Sequence, residues 1–199
     1  MKLFNKWETK GINHKDLGLA KYINLNERIV PNSFGSTNNL ATRKIRINIV
    51  ERLANKMMRS GQGKKKLSGK YIRNRNGCGK KDQSIKSVEM AFDYIYATTK
   101  ENPVQIFVQA IENSAPREDI TKLQKGDITY TQSVDLAPIK RLDESLKNIA
   151  LACFKNTYKT KKEPHIALAE EIIDASKNDQ KSFAVKRKDE IERIAQGSR

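Results

Sequence analysis

Apolar positions recur at spacings of three and four through most of the chain after residue 44. In "SIKSVEMAFDYIYATTK" (84–100), Ile85, Val88, Phe92 and Ile95 lie 3, 4 and 3 apart, one face of a helix that Ser84 is placed to cap. "ENPVQIFVQAIENSA" (101–115) repeats the pattern with Val104, Phe107, Val108 and Ile111. Asn102 suits its N-cap, Pro103 its first turn, and Pro116 its end. "IRINIVERLANKMMRS" (45–60) carries Val50, Leu53 and Met57 on one face with Ile49 beside them. "PIKRLDESLKNIALACFKNTYK" (138–159) carries Ile139, Leu142, Leu146, Ile149 and Cys153. "PHIALAEEIIDASK" (164–177) turns Ile166, Leu168, Ala169, Ile172 and Ile173 inward, after Pro164 in its first turn. "SFAVKRKDEIERIAQGSR" (182–199) completes a set of six, capped by Ser182 and stopped near Gly197.

Three stretches break this period. Residues 1–44 show only a short helix starting at Asp16. "VPNSFGSTNNLATRK", rich in Asn, Ser, Thr and Gly, then reads as an extended arm ending in Arg43 and Lys44. Residues 61–83 hold five glycines and read as a loop. Between the helices at 101–115 and 138–159, "ITKL" and "ITYT" flank "QKGD": strand formers around a turn, hence a short hairpin. Two strands alone are too few for an independent sheet, so the hairpin leans on the helices or projects from them. The expected fold is mainly α, a bundle of about six helices with an inserted β-hairpin arm. Residues 1–44 form a basic N-terminal extension and 45–199 the helical domain, with a basic loop insertion at 63–81 and the arm at 117–134.

Charge sharpens this outline. The chain of 199 residues has a net charge of +16, and residues 45–81 alone carry 12 Lys/Arg against one acid. Two thirds of the excess thus sits in 37 consecutive residues, the pattern of a binding face for a polyanion, whereas charge kept for solubility is scattered. Candidate contacts are Arg43 and Lys44 ahead of the helix at 45–60, Arg46 at its start, and Arg52, Lys56 and Arg59 along its outer face. Lys64, Lys65, Lys66, Lys70, Arg73 and Arg75 follow in the loop, where Tyr71 could stack on a base. Lys140, Lys147 and Lys155, close to Arg141, share one arc of the helix at 138–159. Lys186, Arg187 and Lys188 form a further cluster. Extended basic arms and loops suit folded RNA, which is recognised by shape and phosphate position, and no helix-turn-helix, zinc-finger or basic-zipper pattern favours DNA.

Other chemistries find little support. A phosphate-binding nucleotide loop needs a glycine five residues ahead of its Gly-Lys, and none of Gly63, Gly69 or Gly79 has one. Cys78 and Cys153 are far apart, and with only His14 and His165 available no zinc set forms. His165 is expected at the surface. No acid/base pair or activated nucleophile stands out, so neither an enzyme nor a cofactor is expected. An RNA-modifying enzyme would need a titratable cluster in a cleft. A peripheral membrane protein would need a free apolar-basic helix, whereas these stripes look committed to one core. No apolar run or leader is seen, so a soluble, intracellular protein is expected.

The stretches "ENPVQIFVQAIENSAPRED", "VDLAPIKRLDESLKNIA" and "KRKDEIERIA", with "IVERLANKMMRSG", resemble the small-subunit ribosomal protein number seven family, whose eukaryotic members carry the number five. "LFNKW" and the long leading segment are similar to its archaeal and eukaryotic branch. The resemblance implies a helical bundle with a protruding hairpin. It implies binding to the 3′ major domain of small-subunit rRNA, organisation of the subunit head, and neighbouring ribosomal proteins of head and platform. It also implies a hairpin that reaches toward exit-site tRNA and the mRNA exit channel through Lys122, Lys125, Gly126 and Tyr130. Arg117, Lys140 and Arg141 carry over by motif position as rRNA contacts. A cytoplasmic, ribosomal location follows, nucleolar during assembly in a eukaryote. The loop at 63–81 is longer than the family usually has, and the hairpin is less basic than in bacterial relatives, so that its contact with tRNA rests on shape and on Tyr130.

Overall fold

Helices dominate. The computed structural model describes residues 2–35, 43–58, 62–67, 70–73 and 79–198, with Arg43, 62–67, 70–73 and Lys125 described along the backbone. The elements in chain order are α1 (Leu17–Ala20), α2 (Arg43–Arg46), α3 (Ile49–Met57), β1 (Gln62–Leu67), β2 (Lys70–Arg73), α4 (Lys81–Thr99) and α5 (Pro103–Ser114). Then follow β3 (Glu118–Lys125), β4 (Ile128–Asp135), α6 (Pro138–Thr157), α7 (Pro164–Ser176) and α8 (Phe183–Gln196). The six longer helices answer to the six periodic stretches, and α1 and α2 are single turns of four residues.

α7 is the hub, lying against α4, α5 and α6. Ala167, Ala169 and Ala175 are fully buried on it, and side chains this small let three helices approach one axis. Every predicted apolar position of α4 and α5 is buried, and Phe92 and Phe107 pack at 5.8 Å between ring centroids. α5 and α6 approach closely enough for the buried Ser114 and Ser145 hydroxyls to bond at 2.7 Å. Ile139 and Ile166, expected in the core, are half-buried at its margin.

Four expectations are corrected. The helix expected over 45–60 is two helices: Asn48 leaves helical geometry and its side chain caps α3 by accepting from the Val50 N–H. α4 begins at Lys81 rather than Ser84. Its N-cap is Lys80 in the left-handed region, and the Ser84 hydroxyl donates back to the Lys80 carbonyl. The segment read as a loop contains an antiparallel pair, β1 with β2, in the register Lys66↔Tyr71 and Leu67↔Lys70. Residues 2–25 are no separate extension: Leu3, Phe4, Leu19 and Ile23 belong to the same core as the helices. A strap ties them down. The Asn13 N–H donates to the Gln105 side chain, which donates back to the Asn13 carbonyl, and the Asn102 amide donates to the Glu8 carbonyl. Residues 36–42 of the arm proposed at 30–44 lie outside the described residues.

The hairpin follows its sequence. β3 and β4 pair without a shift from Glu118↔Asp135 to Lys125↔Ile128, leaving Gly126 and Asp127 as a two-residue turn. Gly126 has φ +62°, while Asp127 stays out of the left-handed region, the pattern of a type II′ turn. At ~3.3 Å per residue the arm is roughly 26 Å long. Its base is closed by the Leu136 N–H on the Arg117 carbonyl and rests on α8.

Candidate nucleic-acid interface

The cations that the sequence assigns to one binding face fall into two groups. The first group converges on a single carboxylate. Asp143, on the first turns of α6, receives Lys44 at 2.5 Å, Arg52 at 3.3 Å and Lys56 at 3.4 Å. Burial alone would raise the Asp143 carboxyl. The Lys44 hydrogen bond and the charges of Lys56, Arg52 and Lys44 outweigh it and hold the group below its usual range. Arg52 was expected on an outer face and is instead buried, its side chain 5% exposed, so it is a bolt between α3 and α6. Its neighbour Glu51 is buried as well and meets Lys81 at 2.5 Å.

Arg141 needs the same correction. Its guanidinium donates to the Pro116 carbonyl and, at 2.7 Å, to Asp16, joining α6 to the hairpin base and to α1. Burial opposes ionisation of Asp16, but the Arg141 hydrogen bond and charge prevail and hold its carboxyl low. His165, expected at the surface, is half-buried at the start of α7, 3.3 Å from Glu163.

The second group faces water. Arg46, Lys122, Lys140, Lys147, Lys186, Arg187 and Arg117 are exposed. Lys140 reaches Asp119 at 3.4 Å, Lys147 meets Glu144, and Arg187 meets Glu190, all in pairs open to solvent and so weakly held. Lys155 lies 5.0 Å from the centroid of the Phe183 ring, and Lys188 lies beside Asp189. The Arg117 N–H is fixed by Glu192 of α8, leaving its side chain outside. Lys64, Lys65, Lys66, Lys70 and Arg73 fall on β1 and β2, and Arg43 opens α2, whereas Arg59 and Arg75 lie outside the described residues.

Alternation gives the hairpin two unlike faces. Asp119, Thr121, Leu123, Tyr130, Gln132 and Val134 share one face with Ile128; Glu118, Ile120, Lys122, Thr131 and Ser133 share the other. Leu123, Ile128, Tyr130 and Val134 are all exposed, Ile128 by 73%. The arm therefore carries an apolar stripe into solvent. Reading the sequence as alternating found that stripe but expected it to have a chance of packing inward. Sequence reasoning missed the counter-charges Asp16, Glu51 and Asp143. It also passed over Lys21 and Arg28, isolated in sequence but gathered with Arg46 around one cleft. Among the described residues no helix is long and apolar enough to cross a membrane.

Comparison with known proteins identifies the family. The family model described as ribosomal protein S7p/S5e matches residues 19–199. A small ribosomal subunit protein uS7 from Methanococcus maripaludis is 44% identical over 200 aligned positions, covering 100% of this chain and 99% of that protein. The protein of the same description from Methanococcus aeolicus is 43% identical over the same span. The chain belongs to the ribosomal protein S7p/S5e family.

Proposed function

We propose that this chain is a structural constituent of the small ribosomal subunit. It binds the 3′ major domain of small-subunit rRNA, helps organise the subunit head among neighbouring head and platform proteins, and works in the ribosomes of the cytoplasm. Its chemistry is binding, not turnover. The hairpin is the part that reaches exit-site tRNA and the mRNA exit channel, with Tyr130 the group that meets a base. One observation carries the reading most: in a member of this family, an arm roughly 26 Å long, seated at its base on α8, carries exposed apolar residues into solvent, beside exposed Arg117 and Lys140.

Sedimentation of the tagged protein in lysate, at moderate and then high salt, tests this. Migration with the small subunit that survives high salt is expected; a protein left at the top of the gradient would refute it. With about 6–10 phosphates contacted, rRNA affinity should fall ~10³–10⁵-fold between 50 and 200 mM salt. Charge reversal at Lys64–Lys66 or at Lys140 should weaken binding without unfolding. Arg141 is unsuited to that test, because its partners are structural.

A further inference from the structure

A cleft of about 760 Å³ opens between the segment after α1 and α2. Lys21, Arg28 and Arg46 line it, all exposed, and among the described residues none of them pairs with a carboxylate. Arg28 donates to the Asn32 carbonyl. The one acid on the rim, Glu27, is engaged by Lys10 at 3.1 Å. The half-buried Leu25 and Ile45 supply an apolar floor, and the exposed Asn26 amide stands at the edge. The wall is rigidly built. The Asn24 side chain donates to the Ile45 and Arg46 carbonyls and accepts from the Asn26 N–H, while Asn48 donates to the Asn26 carbonyl. This contrasts with the Lys44, Arg52 and Lys56 cluster, whose three cations share the Asp143 carboxylate.

We propose that this cleft takes one splayed nucleotide of an RNA together with its flanking phosphates. Its volume lies within the range of sites for single small ligands, ~300–1,000 Å³. An unstacked nucleotide needs what the cleft offers: apolar surface for the base, an amide for its edge, and cations for the phosphates on either side. The inference rests on the rRNA-binding reading above and assigns to that partner a site outside the basic run at 45–81, apart from Ile45 and Arg46.

The test uses the full chain, a transcript of the 3′ major domain of small-subunit rRNA, and AMP and UMP as free nucleotides. Lys21→Gln/Arg28→Gln/Arg46→Gln should leave the far-UV spectrum and melting temperature unchanged, since all three side chains are exposed. At ~0.7 per lost single-strand contact, its slope of log affinity against log salt should be shallower by about 2. Over a fourfold rise in salt, from 50 to 200 mM, it should then lose about 4², or roughly 16-fold, less affinity than the wild type. Ultraviolet irradiation of the wild-type complex should attach a nucleotide within residues 21–28. Asn26→Asp, which adds negative charge and removes no cation, should also weaken binding with unchanged melting. A wild-type slope in the triple variant, or wild-type affinity in Asn26→Asp, would overturn the site while leaving the ribosomal reading intact. AMP or UMP binding as tight as the transcript would overturn it in favour of a free-nucleotide pocket. Failure of the wild type to bind the transcript would overturn both.

Discussion

Lys81→Met should be one of the most damaging single changes on the cationic side of this protein. Lys81 Nζ sits 2.5 Å from Glu51 Oε1 and 2.8 Å from Asn32 Oδ1, and the Ser33 hydroxyl donates to the same Glu51 oxygen at 2.8 Å. The Glu51 side chain is 2% exposed and that of Lys81 25%. Removing the lysine leaves a buried carboxylate with one hydroxyl donor, and breaking such a pair costs ~3–5 kcal/mol. Water reaches the quarter-exposed lysine side of the pair, so the lower half of that range, about 3 kcal/mol, is expected. At ~2–4 °C per kcal/mol for a chain of this length, the melting temperature falls by about 6–12 °C. The reverse deletion, Glu51→Leu, should cost less, about 1–2 kcal/mol, because Lys81 can turn to solvent whereas Glu51 cannot. Lys81→Met/Glu51→Leu together should recover most of the loss, since an apolar pair of similar volume often replaces a buried ion pair at little cost. Urea unfolding followed by far-UV circular dichroism, run as a double-mutant cycle, measures all three. A Lys81→Met cost below about 1 kcal/mol, or a double variant as unstable as the sum of the singles, would refute the reasoning.

Three further outcomes are expected. Asp143 has a folded-state carboxyl held below its ordinary value of 3.8, so its contribution is present above that value and disappears as pH falls through the lower folded one. Asp143→Asn should therefore be less stable at pH 7, with the gap to the wild type closing under acid unfolding below about pH 4. Glu171 is displaced the other way: burial raises its carboxyl, opposed by bonds from the Ala184 N–H and the Ser182 hydroxyl. Its stabilising contribution is present below the ordinary value of 4.5 and lost as pH rises through the raised one. Glu171→Gln, which keeps an acceptor for both donors, should thus match or exceed the wild type at pH 8, while Glu171→Leu should lose ~1–3 kcal/mol in the same urea titration. Burial, and then the charge of Glu171, push the Cys153 thiol up to about 12, so in a Cys78→Ser background a disulfide reagent at pH 8 should label it only at the rate of opening; fast labelling of the folded protein would contradict its burial.

The legible parts of this protein are those that a local period can encode. Ile85, Val88, Phe92 and Ile95 announce their helix because each contact repeats every turn, and the two-residue turn at Gly126–Asp127 is written in adjacent residues. The N-terminal strap has no such period. Leu3, Phe4, Leu19 and Ile23 touch the core at irregular points along a path of turns and one short helix, so their spacing says nothing, and the polar stretch that follows made the whole segment look free. The break at Asn48 was invisible for a related reason. A helix pattern spans it on both sides, and what stops the helix is a tertiary arrangement, with Asn24 bonding the Ile45 and Arg46 carbonyls and Asn48 bonding that of Asn26.

Charge is where local reading and structure part most consequentially. The sequence places Arg52 and Arg141 among candidate contacts because both sit on basic stretches. The acids that neutralise them lie 91 and 125 residues away, at Asp143 and Asp16, and no spacing rule finds a partner at that distance. A paired cation still adds to the net +16 and to the field of the whole chain, but part of its donor set is already committed to a carboxylate. A scan that chose targets by local charge density would replace Arg52 and Arg141, unseat α6 from α3 and from the hairpin base, and record the unfolding as lost RNA affinity. Lys21, isolated in sequence and paired with no carboxylate among the described residues, would never be tried. Separating the two effects takes the salt slope and the melting temperature together: a contact residue changes the first alone, an internally paired one changes the second.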